Sequence, residues 1–131
     1  MLPLRTAFRW APALGMMSLI FLASATPGSR LPDFGALDLL VKKGGHAIGY
    51  ALLGLSYFYA LPSRLSTPYR VVTALLMAVL FSLSDEFHQS FVEGRTSTLR
   101  DVLIDTGGAS LALFAAALYS SSSRSSSRSG S

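Results

Sequence analysis

The chain contains no cysteine, which excludes disulfides, thiolate metal sites and thiol nucleophiles. Charge is scarce as well. Only 14% of the residues are Asp, Glu, Lys or Arg against 50% hydrophobic, a balance that cannot clothe a soluble surface but is ordinary for a small membrane protein. Between Arg9 and Arg30 no charged residue occurs at all. The 131 residues are roughly one domain. A net charge of +4 raises nucleic acid as a partner, yet the basic residues lie scattered beside apolar segments with no nucleic-acid-binding motif around them. They read as topology determinants and lipid contacts, so membrane lipids are expected as partners and nucleic acid is not.

Four apolar segments remain, over about 8–25, 46–62, 70–90 and 101–119. They predict an all-α integral membrane protein, a small bundle of four transmembrane helices forming one domain over 1–119. The first segment has two readings. Arg5 and Arg9, a short apolar core and Ala23-Ser24-Ala25 resemble a secretory signal with its cleavage site. A retained first helix, with Trp10 at the interface and Pro27 and Gly28 ending it, suits a chain whose other spans need helical neighbours. Residues 26–45 read as a linker, because Pro27, Gly28, Pro32, Gly35 and Gly44-Gly45 punctuate it, with a short amphipathic piece over 34–41 on the membrane surface. Pro62 stops the second span. Beyond Tyr119 the Ser/Arg-rich stretch 120–131 is low in complexity and is expected to be disordered.

The third segment sets the problem. Val71 to Leu83 supplies only about 13 apolar residues where a bilayer needs roughly 20, so the helix has to continue through Asp85, Glu86 and Gln89. Glu93-Gly94-Arg95 then forms a turn, Ser97 or Thr98 caps the next helix, and Gly107-Gly108-Ala109-Ser110 allows close helix approach. At about 1.5 Å of rise per residue, Asp85 lies about 21 Å up from Val71, Asp105 about 21 Å up from Tyr119 and His46 about 22 Å up from Leu61. The three meet at one depth.

Helical spacing groups Lys43, His46 and Tyr50 on one stripe, Asp85, His88 and Gln89 on a second, and Asp101, Asp105 and Gly108 on a third. Charges at that depth must face one another or a water-filled pocket, which predicts a polar cup near the outer face. Six residues are the candidates for chemistry in it. Asp85 or Glu86 would act as general acid or base and His46 would share that role; Arg95 would hold an anionic group or a carboxylate; Gln89 and Asp101 would orient them. The sequence has no His-x-x-x-His or similar spacing, so a Zn or Mn site would have to be assembled from three helices; the spacing favours acid–base use of His46 and leaves any cofactor unknown.

Orientation follows from the basic residues. With the N-terminus inside, the inner segments hold Arg5, Arg9, Arg64, Arg70, Arg124 and Arg128 and no acid, while Arg30, Lys42, Lys43, Arg95 and Arg100 stay outside. Both termini are then cytoplasmic, and the cup opens outward from a bacterial inner membrane.

Taken together, Lys43-x-x-His46-x-x-x-Tyr50, Asp85-Glu86-x-x-Gln89, Gly94-Arg95, Asp101 and Gly108 resemble the VanZ-like membrane proteins, a family named for a teicoplanin resistance protein. The resemblance covers roughly residues 38–113 and implies about four transmembrane helices with polar motifs clustered near one membrane face. It does not supply an activity. Asp105 departs from the pattern, standing where relatives often have Asn, and adds a negative charge.

Two classes of function follow. One is a membrane enzyme or binding protein whose cup takes a lipid-linked envelope or glycopeptide-related ligand. The other is an accessory or structural protein whose charged cluster only holds the helices together. In the structural reading Asp85 and Glu86 pair with Arg95 and Arg100, His46 is a hydrogen-bonded packing residue, and His88 sits at the interface. A transporter has little room in about four short spans.

Overall fold

Residues 3–130 are described by the computed structural model. Four helices carry the fold: α1 (Leu4–Ala25), α2 (Asp38–Ala60), α3 (Thr67–Gln89) and α4 (Leu99–Ser129). Two short 3-10 turns, Gly28–Arg30 and Gly35–Leu37, lie between α1 and α2. Local chemistry sets the boundaries. Pro68 stands in the first turn of α3, where a missing N–H leaves nothing unpaired. Thr98 caps α4: its Oγ1 accepts from the Asp101 N–H at 3.3 Å and donates to Asp101 Oδ2 at 3.1 Å, a reciprocal cap.

Helices α1, α3 and α4 are long and apolar enough to cross a membrane. Leu76, Leu80, Leu103, Leu111 and Phe114 stay exposed on α3 and α4, as lipid-facing side chains do. The expectation of four such helices is met by three. Helix α2 has the length, 23 residues, but Lys42, Lys43, His46 and its glycines and tyrosines dilute its apolar character. Its position explains this composition. It packs against all three other helices, whereas α1 and α4 do not touch each other. Tyr50, Leu53, Tyr57 and Phe58 on α2 are at most 3% exposed, while Leu40, Ile48 and Leu52 stay exposed on its other side, so only the face packed on the other helices is free of the need to match lipid.

Small residues set the closest approach. A Cβ added to Gly108 of α4 would lie 2.2 Å from the Ala47 carbonyl oxygen of α2, and one on Gly54 would lie 3.3 Å from Ala109 Cβ. Gly108 therefore fixes the α2–α4 spacing, while its neighbour Gly107 has open space around it. At the opposite end of the bundle the carbonyls that finish α2 are closed by arginines from two other helices. Arg9 Nη2 donates to Leu61 O at 2.6 Å and to Tyr59 O at 3.2 Å, and Arg70 Nη2 donates to Phe58 O at 2.8 Å.

Two boundaries differ from expectation. Gly44-Gly45 does not break the chain, since α2 begins at Asp38 and runs through both. The glycine cost of about 1 kcal/mol each relative to Ala is offset in part by the Lys42–Asp38 pair one turn apart, 2.8 Å, and by the packing of the later turns of α2, where Tyr50, Leu53 and Gly54 are buried. Nor does helix stop at Tyr119. α4 continues through the Ser/Arg-rich stretch to Ser129, with 121–130 fully exposed. No proline or glycine interrupts it before Gly130, and extending an existing helix avoids the cost of nucleation. The last residue of that stretch, Ser131, lies outside the described residues.

Candidate functional site: a polar cup where three helices meet

The end at which α1 and α3 finish and α2 and α4 begin holds a cavity of about 590 Å³. Met16, Leu19 and Ile20 of α1 form an apolar wall, His46, Tyr50 and Lys43 line it from α2, Glu86 and Gln89 from α3, and Asp101 and Asp105 from α4. Of the six candidate residues, His46, Glu86, Gln89, Arg95 and Asp101 line the cavity. Asp85 does not; it is 3% exposed and packs behind the wall.

Asp85 is a fastener between helices. Its Oδ2 accepts from Ser24 Oγ of α1 at 2.8 Å, from Gln89 Nε2 at 3.3 Å and from Tyr50 Oη of α2 at 3.4 Å, and Gln89 Nε2 also donates to Ser24 Oγ at 2.9 Å. Three helices are joined at one carboxylate oxygen. Its Oδ1 is buried with no partner.

Glu86 has the opposite arrangement. It is 5% exposed, yet neither carboxylate oxygen has a hydrogen-bond partner. Its backbone carbonyl accepts from Ser97 Oγ at 2.6 Å, with the Ser97 hydroxyl and the Thr98 N–H also close to the carboxylate, and this draws the chain entering α4 back across the end of α3. Gly94, at φ +73°, makes the intervening turn. The Gly28 N–H donates to Glu93 O at 3.0 Å, and a Cβ on Gly28 would lie 2.1 Å from Gly94 O, so the α1–α2 connection seats directly on the α3–α4 turn and holds Arg95 at the mouth.

Helix α4 contributes two acids with different surroundings. Asp101, at the rim, is ion-paired with Lys43. Asp105, fully buried, accepts from Ser82 Oγ at 2.8 Å and faces His46 Nδ1 at 3.4 Å. The close α2–α4 approach at Gly108 brings that pair together. Asp105 was visible on the predicted stripe of α4 but stood outside the candidate set, although it is the most deeply buried acid of the group. Ser24 and Ser82 had no sequence signal, being single hydroxyls within apolar runs.

Arg95 corrects the structural reading that paired it with the cup's carboxylates. Its Nη2 donates to the Ala23 carbonyl at 3.3 Å and its Nε is without a partner; among the described residues it makes no ion pair. His88 also departs from its predicted stripe. Its ring stacks on Phe21 of α1 with centroids 4.5 Å apart, away from the cavity. Outside the spans, Asp38 at the rim has its carboxyl held below the usual carboxylate range by the Lys42 ammonium and by the Phe34 N–H at 3.2 Å.

Chemically, the arrangement offers a cationic mouth, an anionic floor and an apolar side wall within one cavity. His46, Glu86 and Asp105 each present a ligating atom, all within 4.8 Å of one another, so the three helices do assemble the cluster that sequence spacing alone could not show. A family model described as VanZ/LLP1 matches residues 8–120. No curated relative and no solved structure matches the chain.

Proposed function

The chain belongs to the VanZ/LLP1 family of membrane proteins, and from that membership and the form of the cup we propose that it binds the anionic headgroup of a lipid-linked envelope ligand. The observation that carries this reading is the mixed lining of the cavity: Arg95 and Lys42 stand beside Met16, Leu19, Ile20, Leu39 and Val41 in one space. A volume of about 590 Å³ suits a headgroup with the first part of its chain. Arg95 is the side chain suited to the anion, because a guanidinium grips phosphate or carboxylate through paired N–H donors.

In this reading α2 crosses the membrane as a fourth span, packed on the other three helices. The cup faces outward and both termini are cytoplasmic, as the arginines at the opposite end favour. Native mass spectrometry of detergent-purified protein, equilibrated with an envelope lipid extract, tests the proposal. The parent should retain an anionic lipid-linked species, and Arg95→Ala should lose most of it, about tenfold for one charge-assisted contact. Identical lipid profiles for the two proteins, or retention of neutral lipids alone, would refute it.

A further inference from the structure

We propose that His46, Glu86 and Asp105 form a binding site for one divalent first-row transition cation of the Zn²⁺/Mn²⁺ class. The geometry comes first. One ligating atom from each of α2, α3 and α4 lies within 4.8 Å of the other two. Donors about 2.1 Å from a tetrahedral ion stand about 3.4 Å apart, so a separation at the 4.8 Å bound needs to shorten by roughly 1.4 Å, within reach of a side-chain rotation. His46 Nδ1 and Asp105 Oδ1, 3.4 Å apart, already stand at the spacing of two ligands on one ion.

The second observation is independent of that clustering. Glu86 is 5% exposed, and neither of its carboxylate oxygens makes a hydrogen bond of good geometry, although the Ser97 hydroxyl and the Thr98 N–H lie close by. Asp105 Oδ1, on a residue 0% exposed, likewise accepts no hydrogen bond within good geometry. Buried acceptors in folded proteins are nearly always satisfied, and carboxylate oxygens left open toward a shared point are what a cation requires.

Charge points the same way. Asp85, Glu86 and Asp105 are all buried, yet the Lys and Arg residues around the cup are engaged elsewhere. Lys42 pairs with Asp38, Lys43 with Asp101, and Arg95 donates to a backbone carbonyl. His46 is the one basic side chain that meets a floor carboxylate among the described residues. Buried carboxyls in a membrane are relieved either by protonation or by a cation, and a divalent ion would bind at the point where the open oxygens converge.

The donor set selects the metal. One imidazole and two carboxylates, with no thiolate anywhere in the chain, fit Zn²⁺ or Mn²⁺ better than copper(I), which prefers sulfur. Mg²⁺ retains most of its water and seldom takes an imidazole. Supporting contacts hold the ligands in place: Ser82 Oγ orients Asp105 at 2.8 Å and Tyr50 stacks on His46, the sort of outer contact that tunes metal sites. The ion would sit at the floor of the cavity, facing any anionic group held at its mouth.

Electron paramagnetic resonance on protein in chelator-treated, lipid-free detergent reads the metal alone, so its result is separate from that of the lipid experiment. Added Mn²⁺ should lose its free six-line signal at about one ion per chain and show nitrogen coupling from an imidazole. Zn²⁺ should displace it, and a hundredfold excess of Mg²⁺ should not, roughly as expected for an imidazole-containing set. His46→Gln and Glu86→Gln should each weaken binding by about 100-fold or more, while Glu93→Gln, on the exposed turn, should leave it unchanged. Absence of a stoichiometric site in the folded parent, bound Mn²⁺ without nitrogen coupling, or undiminished binding in both folded variants overturns the proposal. Should either variant fail to fold, the nitrogen coupling of the parent decides the question by itself.

Discussion

The two ends of the bundle carry charge in different ways. At the end where α2 finishes, Arg9 and Arg70 donate to the carbonyls of Phe58, Tyr59 and Leu61, and Arg70 also lies over the Phe58 ring at 4.0 Å. Those cations complete a helix terminus whose last carbonyls have no intrahelical partner. At the cup end Glu86 is buried with both carboxylate oxygens open, and nothing in the fold requires it there. The arginines at the basic end are used up on the carbonyls of the scaffold, whereas the carboxylate left unsatisfied in the cavity is held ready for something that is not part of the chain.

The contrast also runs through the cup itself, between adjacent residues. Asp85 and Glu86 share a sequence context, yet the carboxylate of one joins α1, α2 and α3 through Ser24, Tyr50 and Gln89 while that of the other makes no well-aligned hydrogen bond. Scaffold and site are therefore one residue apart.

The mutation expected to do most damage acts at the α2–α4 contact beneath the cup. Gly108→Val places side-chain atoms where the Ala47 carbonyl already sits, with the first carbon 2.2 Å away. The helices α2 and α4 must then part, at a cost of about 3 kcal/mol or more for an overpacked contact. Thermal melting in detergent should show a large fall in Tm, with ligand binding lost in whatever remains folded, since His46 and Asp105 no longer meet. A Gly107→Val control, where a Cβ has open space, should melt close to the parent.

Next in size is the split between the two carboxylates. Asp85→Asn exchanges an anion accepting three hydrogen bonds for an amide, and should lower stability by about 1–3 kcal/mol. Glu86→Gln removes no well-aligned side-chain hydrogen bond, so it should melt like the parent or slightly higher while losing bound Mn²⁺. Parallel measurement of Tm and bound Mn²⁺ checks both. If Glu86→Gln melts early and keeps its Mn²⁺, the carboxylate is scaffold after all and the metal reading of the cup fails.

The sequence made much of this arrangement legible, because a helix interrupted by Asp85 and Glu86 before it can cross a bilayer has to carry them inward. Depth counted from the far ends placed His46, Asp85 and Asp105 on one level, and the structure brings all three to the same end of the bundle. The phase of individual residues was harder. At about 100° per residue, Gln89 and Glu86 lie on one side of Asp85 and His88 on the other, so His88 turns to Phe21 although it shares the i, i+3 spacing. Gly44-Gly45 read as a break because local propensity was weighed without the three helices that pack against α2. Ser24 and Ser82 could not be seen at all: a serine in an apolar run has no periodic signature, and its role appears only when another helix supplies the carboxylate.

At the basic end the expected effect is smaller and confined to stability. Arg70→Ala removes the donor to Phe58 O at 2.8 Å and the cation over its ring, worth about 1–2 kcal/mol together. Melting should fall accordingly with ligand binding unchanged, the reverse of Glu86→Gln. An Arg70→Lys exchange should recover part of the loss, since an ammonium can reach the carbonyl but not cover the ring as a guanidinium does.

The smallest effect separates continuous helix from contributing structure. Helix α4 extends to Ser129, yet 121–130 are exposed on every side, whereas the buried residues of α4, Asp101, Val102, Asp105, Ala109, Leu113 and Ala116, all precede Tyr119. Burial of apolar area, the main source of helix stability in a folded protein, ends there. Removing the chain after Ser120 should therefore shift stability by less than about 0.5 kcal/mol and leave both the melting curve and the bound ligand as in the full chain. A marked loss on truncation would mean that Arg124 and Arg128 act with Arg70 at the basic end, making that end a larger charged scaffold than the contacts of Arg9 and Arg70 alone define.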